Sequence, residues 1–136
     1  MLPIKNFESK LPLEYDFSIS AEDEAERRGQ VVQWPKDNEI QLDLDSEEAL
    51  AEFERRFKDF AFQEIWQTPT VHKRKSFTEG HYHVTIEFAD DLNNWMRLAL
   101  QAALGDDPIR HFLAVRRLVY GCKTPSCLFA PIPSEL

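Results

Sequence analysis

Cysteine and long apolar runs are both scarce in this chain of 136 residues. Its two cysteines, Cys122 and Cys127, are separated by four residues. One pair cannot form a disulfide framework, and this spacing is poor for a zinc site. No apolar run approaches the roughly 20 residues that a membrane span needs, and residues 1–7 lack a signal-peptide core. The sequence therefore predicts a cytoplasmic protein that makes no membrane contact.

An excess of basic residues is also missing, since the formal net charge is −8 at pH 7. Proteins that coat DNA are usually basic, so any contact with nucleic acid must be local. The acidity is uneven, because residues 1–64 contain 17 acidic and 8 basic residues, whereas residues 65–136 contain 7 and 8. The acidic half either keeps the protein soluble or faces a basic protein partner, and both interpretations stay open.

Length and hydrophobic patterning predict one α+β domain. An apolar content of 43% and a charged content of 29% are ordinary for a soluble domain of this length. Residues 1–38 are predicted to form an N-terminal arm and a short helix over 18–28 capped by Ser20, which pack on the domain. Residues 39–136 form the domain itself. Its predicted strands are 39–44, 62–66, 81–88 and 127–132, and its predicted helices are 46–60, 92–104 and 108–120.

The order of these elements, β-α-β-β-α-β, is the ferredoxin-like or RRM-like pattern. It predicts an antiparallel sheet with helices on one face and the other face free. In that topology the first and third strands are antiparallel neighbours. The end of strand 39–44 should therefore lie beside the start of strand 81–88.

Two short motifs fall at that junction. Residues two apart in a strand share a face, so Asp43 lies with Asp45, and His81 lies with His83. The intervening residues point to the core on the opposite face: Leu42, Leu44, Tyr82, Val84, Ile86 and Phe88. The sequence predicts that two carboxylates and two imidazoles meet on one polar face.

Such a cluster suits a divalent metal and a phosphorylated ligand. Asp43 and Asp45 would bind Mg²⁺ or Mn²⁺, because hard cations prefer oxygen ligands. The segment 72–75, predicted to be a basic loop, would add phosphate contacts from Lys73, Arg74 and Lys75.

Several of these residues also have a structural interpretation. Asp45 followed by Glu48 fits a helix N-cap with its capping-box partner as well as it fits a metal ligand. A solvated helix face is predicted for Arg110, Arg116 and Arg117. Packing in the core or at its rim is predicted for Trp34, Trp66 and Trp95.

The strand that ends in Asp-Leu-Asp, the helix after it and the later His-bearing strand resemble the catalytic core of archaeo-eukaryotic primases and primase-polymerases. The resemblance covers residues 39–88. It implies that Asp43 and Asp45 bind catalytic metals and that His83 or His81 contacts a nucleotide. Residues 80–83 read Gly-His-Tyr-His where the family has Ser-x-His, and no acidic residue occurs in strand 127–130. The resemblance thus implies either a nucleotidyltransferase or a non-catalytic relative, in the setting of phage or mobile-element DNA replication.

Two alternatives remain open. His81 and His83 also resemble the His-hydrophobic-His metal motif of rolling-circle initiators and relaxases. Residues 120–123 read Tyr-Gly-Cys-Lys, which would make Tyr120 the nucleophile that attacks DNA. The other alternative is a non-enzymatic interaction module, because a fold alone does not dictate function.

Overall fold

The computed structural model describes residues 16–60, 69–76 and 78–133. These residues form four α-helices and two small antiparallel sheets, which confirms the predicted α+β class. The helices are α1 (Phe17–Arg27), α2 (Glu47–Asp59), α3 (Asn94–Ala103) and α4 (Pro108–Val119). The strands are β1 (Gln30–Gln33), β2 (Glu39–Leu44), β3 (Thr70–Lys75), β4 (Tyr82–Glu87) and β5 (Leu128–Pro131).

The larger sheet has three strands in the order β2-β4-β3, all antiparallel to their neighbours. The predicted pairing of the first strand with the strand of the His motif is confirmed. Its register places Asp43 directly opposite His83 and Leu42 opposite Val84. The predicted strand 62–66 lies outside the described residues.

One face of this sheet forms the hydrophobic core. Ile40, Leu42, Leu44, Val84 and Ile86 are all at most 1% exposed. They pack against side chains from α2 and from the end of α3: Phe53, Leu100 and Leu104. Strict alternation along both strands predicts this face, because successive side chains point to opposite sides.

Helix α2 begins at a different cap from the predicted one. Ser46, and not Asp45, is the N-cap residue, and its hydroxyl accepts a hydrogen bond from the backbone N–H of Ala49 at 3.0 Å. Both residue types cap helices well, so the sequence alone does not decide which of these two adjacent residues is the cap. The predicted apolar stripe of α2 does face the core: Phe53 is buried, and Leu50, Phe57 and Phe60 pack against it in part.

The opposite face of the sheet is not free, contrary to the prediction. Strand β5 pairs with β1 in a separate two-stranded ribbon, and this ribbon hydrogen-bonds to the polar face. Gln41 donates to the backbone oxygen of Gln33 at 3.0 Å. Arg74 donates to the side chain of Gln33 and to the backbone oxygen of Phe129. Residues 16–37 thus take part in the same packed unit.

The basic segment 72–75 is part of strand β3 and not a loop. Val71 packs toward the core, and Lys73 forms an ion pair with Glu54 of α2 at 2.7 Å. His72 and Arg74 alternate onto the other face. A charged strand at the edge of the described sheet is a common arrangement, because lysine and arginine keep such an edge soluble.

The other helix starts and the tryptophans match the predictions only in part. Helix α1 is capped by Asp16 and not by Ser20, since the carboxylate of Asp16 accepts from the N–H of Ser18 at 2.9 Å. Asn93 caps α3 and Asp107 caps α4. Trp34 packs edge-on against the Phe17 ring. Trp95, however, is 62% exposed and not packed, and Trp66 lies outside the described residues.

Candidate functional site

Three side chains form a row across the polar face of the three-stranded sheet. Asp43 of β2 lies opposite His83 of β4, and His83 lies opposite Arg74 of β3. Alternation places all three on the face that carries Gln41, away from the core. An acid, an imidazole and a guanidinium therefore stand side by side, each from a different strand.

The centre of this row is nearly closed to solvent. His83 is 7% exposed, whereas the side chain of Asp43 is 32% exposed. His83 Nε2 lies 3.7 Å from Asp43 Oδ1, which is too long for a direct hydrogen bond. Asp43 Oδ1 and His83 Nδ1 are buried and have no hydrogen-bond partner among the described residues.

Burial and neighbouring charges set the protonation of the pair. Burial lowers the pKa of His83 to about 4, and the nearby cations Arg74 and Arg110 act in the same direction. Burial raises the pKa of Asp43, although the Arg110 guanidinium opposes this effect. His83 is consequently neutral at pH 7, so it forms no ion pair with Asp43 and offers one N–H donor and one acceptor.

The loop between α3 and α4 holds Asp43 in place. The backbone N–H of Asp43 donates to Asp106 Oδ1 at 2.8 Å, and the N–H of Asp107 donates to the Asp43 carbonyl at 3.1 Å. Asp106 is itself paired with Arg110 at 2.8 Å. Arg110 also donates to the carbonyls of Gln41 and Cys127 at 3.1 Å. This network links β2, α4 and the start of β5 around the row.

A cleft of about 440 Å³ opens beside the row, between the sheet, α4 and the ribbon. Its volume falls in the range of small-molecule sites. The polar lining is Arg28, Gln30, Asp43, Ser76, Thr78, His81, His83, Asp107, Arg110, Arg117 and Ser126. The apolar lining is Phe17, Ile109, Leu113, Leu128 and Phe129, together with Cys127.

Two of the arginines in the cleft lie over aromatic rings. The Arg117 guanidinium is 3.9 Å from the centre of the Phe17 ring, and that of Arg28 is 5.0 Å from the centre of the Phe129 ring. Stacking of this kind fixes the plane of the guanidinium and contributes roughly 0.5–1 kcal/mol at exposed sites. A planar, fixed guanidinium is suited to bind carboxylate or phosphate oxygens.

Some of the residues predicted for the site line the cleft, and others do not. Asp43, His81 and His83 all line the cleft. Arg74 belongs to the row but is hydrogen-bonded under the ribbon, and Asp45 is exposed and does not line the cleft.

The remaining candidates lie elsewhere. Lys73 is paired with Glu54 of α2, and Lys75 is exposed outside the cleft. Tyr120 is the C-cap of α4 and does not line the cleft.

Arg110 and Arg117 are the residues that the sequence prediction missed. They are half-buried cleft residues and not a solvated face, whereas Arg116 is exposed as predicted. Their spacing of seven residues places them on one side of α4, and the pair Asp106 and Arg110 is spaced i, i+4. These two spacings could have indicated that Arg110 and Arg117 share a site, although they also fit an ordinary surface helix.

No group of three or more His, Cys, Asp or Glu side chains within residues 16–60, 69–76 and 78–133 is arranged to hold a metal ion. Within the same residues, every helix is too short or too polar to cross a bilayer. Comparison with models of known protein families, with curated proteins and with solved structures finds no match to this chain.

Proposed function

We propose that the cleft binds the phosphate-bearing part of a nucleotide or nucleic acid, and that the domain is a ferredoxin-like relative of the primase-polymerase core. The observation that carries the proposal is the row of Asp43, His83 and Arg74, which meets a cleft lined by further arginines. A neutral, buried histidine beside a carboxylate with a raised pKa is the kind of perturbed pair that is found at functional sites.

The charges of the cleft favour an anionic ligand of limited size. Three arginines, Arg28, Arg110 and Arg117, and two carboxylates, Asp43 and Asp107, line the cleft. Arg28 is paired with Glu24 and Arg110 with Asp106, both at 2.8 Å, so Arg117 is the arginine of the lining that forms no ion pair among the described residues. The carboxylate of Asp107 is engaged in capping α4, where it accepts from the Arg110 N–H at 2.9 Å. The local charge therefore differs from the acidic surface of the chain, as expected if contact with nucleic acid is confined to one place.

The apolar part of the lining favours a ligand that is more than a bare phosphate. Phe17, Leu113 and Phe129 line the same cleft as the arginines. Mixed pockets of this kind bind an apolar ring and orient it with a few polar groups. A nucleotide combines both chemistries, since its base is flat and its phosphates are charged.

In this proposal a divalent metal binds only together with the phosphorylated ligand. Asp43 is the one acidic member of the row, and the described residues do not form a complete metal site by themselves. Mg²⁺ and Mn²⁺ are often held by one or two carboxylates together with substrate phosphates. Bound in that way, the ion would neutralise phosphate charge, and Asp43 would be its protein ligand.

Isothermal titration calorimetry with a nucleoside triphosphate, with and without Mn²⁺, tests the proposal. Asp43→Asn should weaken binding in the presence of Mn²⁺ by tenfold or more, which corresponds to about 1.4 kcal/mol. The matched control is Asp91→Asn, which removes one negative charge from an exposed residue between β4 and α3. Absence of nucleotide binding by the unaltered protein under both conditions would overturn the proposal.

A further inference from the structure

An exposed stripe on α4 takes no part in the core or in the network around Asp43. It consists of Ile109, Phe112, Arg116 and Val119, and we call it the α4 stripe. Ile109 is 72% exposed, Phe112 is 64% exposed and Val119 is 49% exposed, and Arg116 is also exposed. Their spacing of three, four and three residues places them along one line of the helix surface, as in the seam of a coiled coil.

The other sides of α4 already have contacts. Ala114 is buried, and Arg110 and Arg117 line the cleft on one side of the helix. On the other side Phe112 borders a groove of about 520 Å³, whose apolar walls include Ala49 of α2, Ala102 of α3 and Val115. Large apolar side chains that project together beside a groove commonly mark a protein contact surface.

The sequence of the α4 stripe is complementary to itself when a second copy lies antiparallel to it. Under a two-fold axis near position 114, Ile109 faces Val119 of the other copy, and Phe112 faces Arg116. The apolar pair and the arginine–aromatic pair then each occur twice, as a two-fold interface requires. A parallel arrangement would instead bring each Arg116 against its own equivalent, which like charges disfavour.

The charge of Arg116 favours a second copy of this chain as the partner of the α4 stripe. It makes no ion pair within the part of the chain that the structure describes, and it interrupts an otherwise apolar stripe. A guanidinium over an aromatic face is attracted by the ring and tolerates partial burial. The Phe112 ring of a second copy offers that surface at the matching position.

We infer that this protein forms a two-fold dimer through the α4 stripe, with the two α4 helices antiparallel. The inference does not rest on the function proposed for the cleft: of the stripe residues only Ile109 also lines the cleft, whereas Phe112, Arg116 and Val119 lie outside it. A helix pair of this size implies modest affinity, with a dissociation constant on the order of micromolar to tens of micromolar.

Sedimentation velocity of the full chain over about 1 to 500 µM spans that range of affinity and tests the inference. The unaltered protein should shift from monomer to dimer, and Phe112→Glu should weaken the dimer by about 100-fold or more, as hot-spot losses of this kind do. Ile19→Glu is the matched control, since Ile19 on α1 is 59% exposed and lies off the stripe. A protein that stays monomeric at every concentration would overturn the inference and leave the stripe to a different partner.

The antiparallel register has its own test, in a background where Cys122 and Cys127, both free, are replaced by serine. A mixture of an Ile109→Cys chain and a Val119→Cys chain should form a disulfide-linked heterodimer under mild oxidation, because facing positions approach closely enough. Each variant alone should crosslink much less. Preferred crosslinking of 109 to 109 would contradict the antiparallel arrangement, even if a dimer is present.

Discussion

The two faces of the three-stranded sheet are built from the same strands in opposite ways. On the core face, Leu42 and Val84 are fully buried and need only other apolar side chains around them. On the polar face, Asp43 is partly buried and His83 almost wholly buried. The backbone N–H of Asp43 donates to Asp106, and the charges of nearby arginines act on both residues. One face contributes stability through burial, whereas the other holds groups that are costly to bury.

The polar face is the one that is only partly covered. A sheet can close its second face with more apolar residues, as in a sandwich of two sheets. Here the ribbon of β1 and β5 covers only part of that face, through bonds to Gln41 and Arg74, and a cleft remains. Polar groups retained at the edge of such a cleft are what a binding function requires.

The largest expected effect comes from breaking the network behind the polar face. Arg110→Met should lower the free energy of unfolding by about 3–5 kcal/mol, because it leaves the Asp106 carboxylate buried without its charge partner. The side chain of Asp106 is only 1% exposed. Urea denaturation measures the loss. The double variant Arg110→Met with Asp106→Asn should recover part of it, because asparagine is uncharged and its side-chain oxygen can still accept from the Asp43 N–H. A double variant less stable than the single one would contradict this role.

The core face should respond to removal of apolar volume alone. Leu42→Ala is expected to cost between about 2 and 5 kcal/mol, through lost burial and the cavity that remains. Val31→Ala on β1, where the side chain is 37% exposed, is the control and should change stability little. If both variants lose the same stability by urea denaturation, Leu42 is not part of the core.

The acid dependence of stability distinguishes the polar face from the core face. The pKa of His83 is about 4 in the folded protein against 6.5 for an ordinary histidine, so the unfolded chain binds this proton first. Stability is therefore present at pH 7 and decreases as the pH falls from about 6.5 toward 4, by up to about 3 kcal/mol. The raised pKa of Asp43 partly offsets this loss in the lower part of the range.

Thermal or urea unfolding between pH 7 and pH 4 measures this dependence. His83→Gln should flatten the decrease, since glutamine does not titrate. His72→Gln is the control, because it removes an exposed imidazole from the same sheet. An unchanged pH profile for His83→Gln would show that burial of His83 does not govern the acid response.

The smallest effect concerns the point where β2 leads into α2. Ser46→Ala should cost about 1 kcal/mol through loss of the N-cap. Asp45→Ala should change stability by less than about 0.5 kcal/mol, because Asp45 is exposed and does not cap the helix. Helix content by circular dichroism and urea denaturation report both. The reverse order of the two losses would restore Asp45 as the cap.

The sequence predicts the core face well and the polar face only in part. Alternation defines β2 and β4 and their shared register, because half of each strand is apolar. It gives no sign of β1, where Gln-Val-Val-Gln is short and does not alternate. The ribbon that closes part of the polar face therefore could not be predicted, nor could its bonds to Gln41 and Arg74.

The candidate site shows the same limit. Asp43 and His83 were predicted together because their strands are neighbours in the topology. Arg110 was not, because an arginine on a helix is usually solvated, and only the fold brings it within reach of Gln41. Asp45 and Ser46 are adjacent residues that both cap helices well, so sequence alone does not decide between them.

The central claim is that the cleft beside the row of Asp43, His83 and Arg74 is the binding site. The chain has four histidines, of which His81 and His83 line the cleft, whereas His72 and His111 lie outside it. An NMR titration of the imidazole signals with a nucleoside triphosphate and Mg²⁺ tests the claim most directly. The signals of His81 and His83 should shift with one common affinity while those of His72 and His111 stay in place. Shifts confined to His72 or His111, or no shift at all, would contradict it.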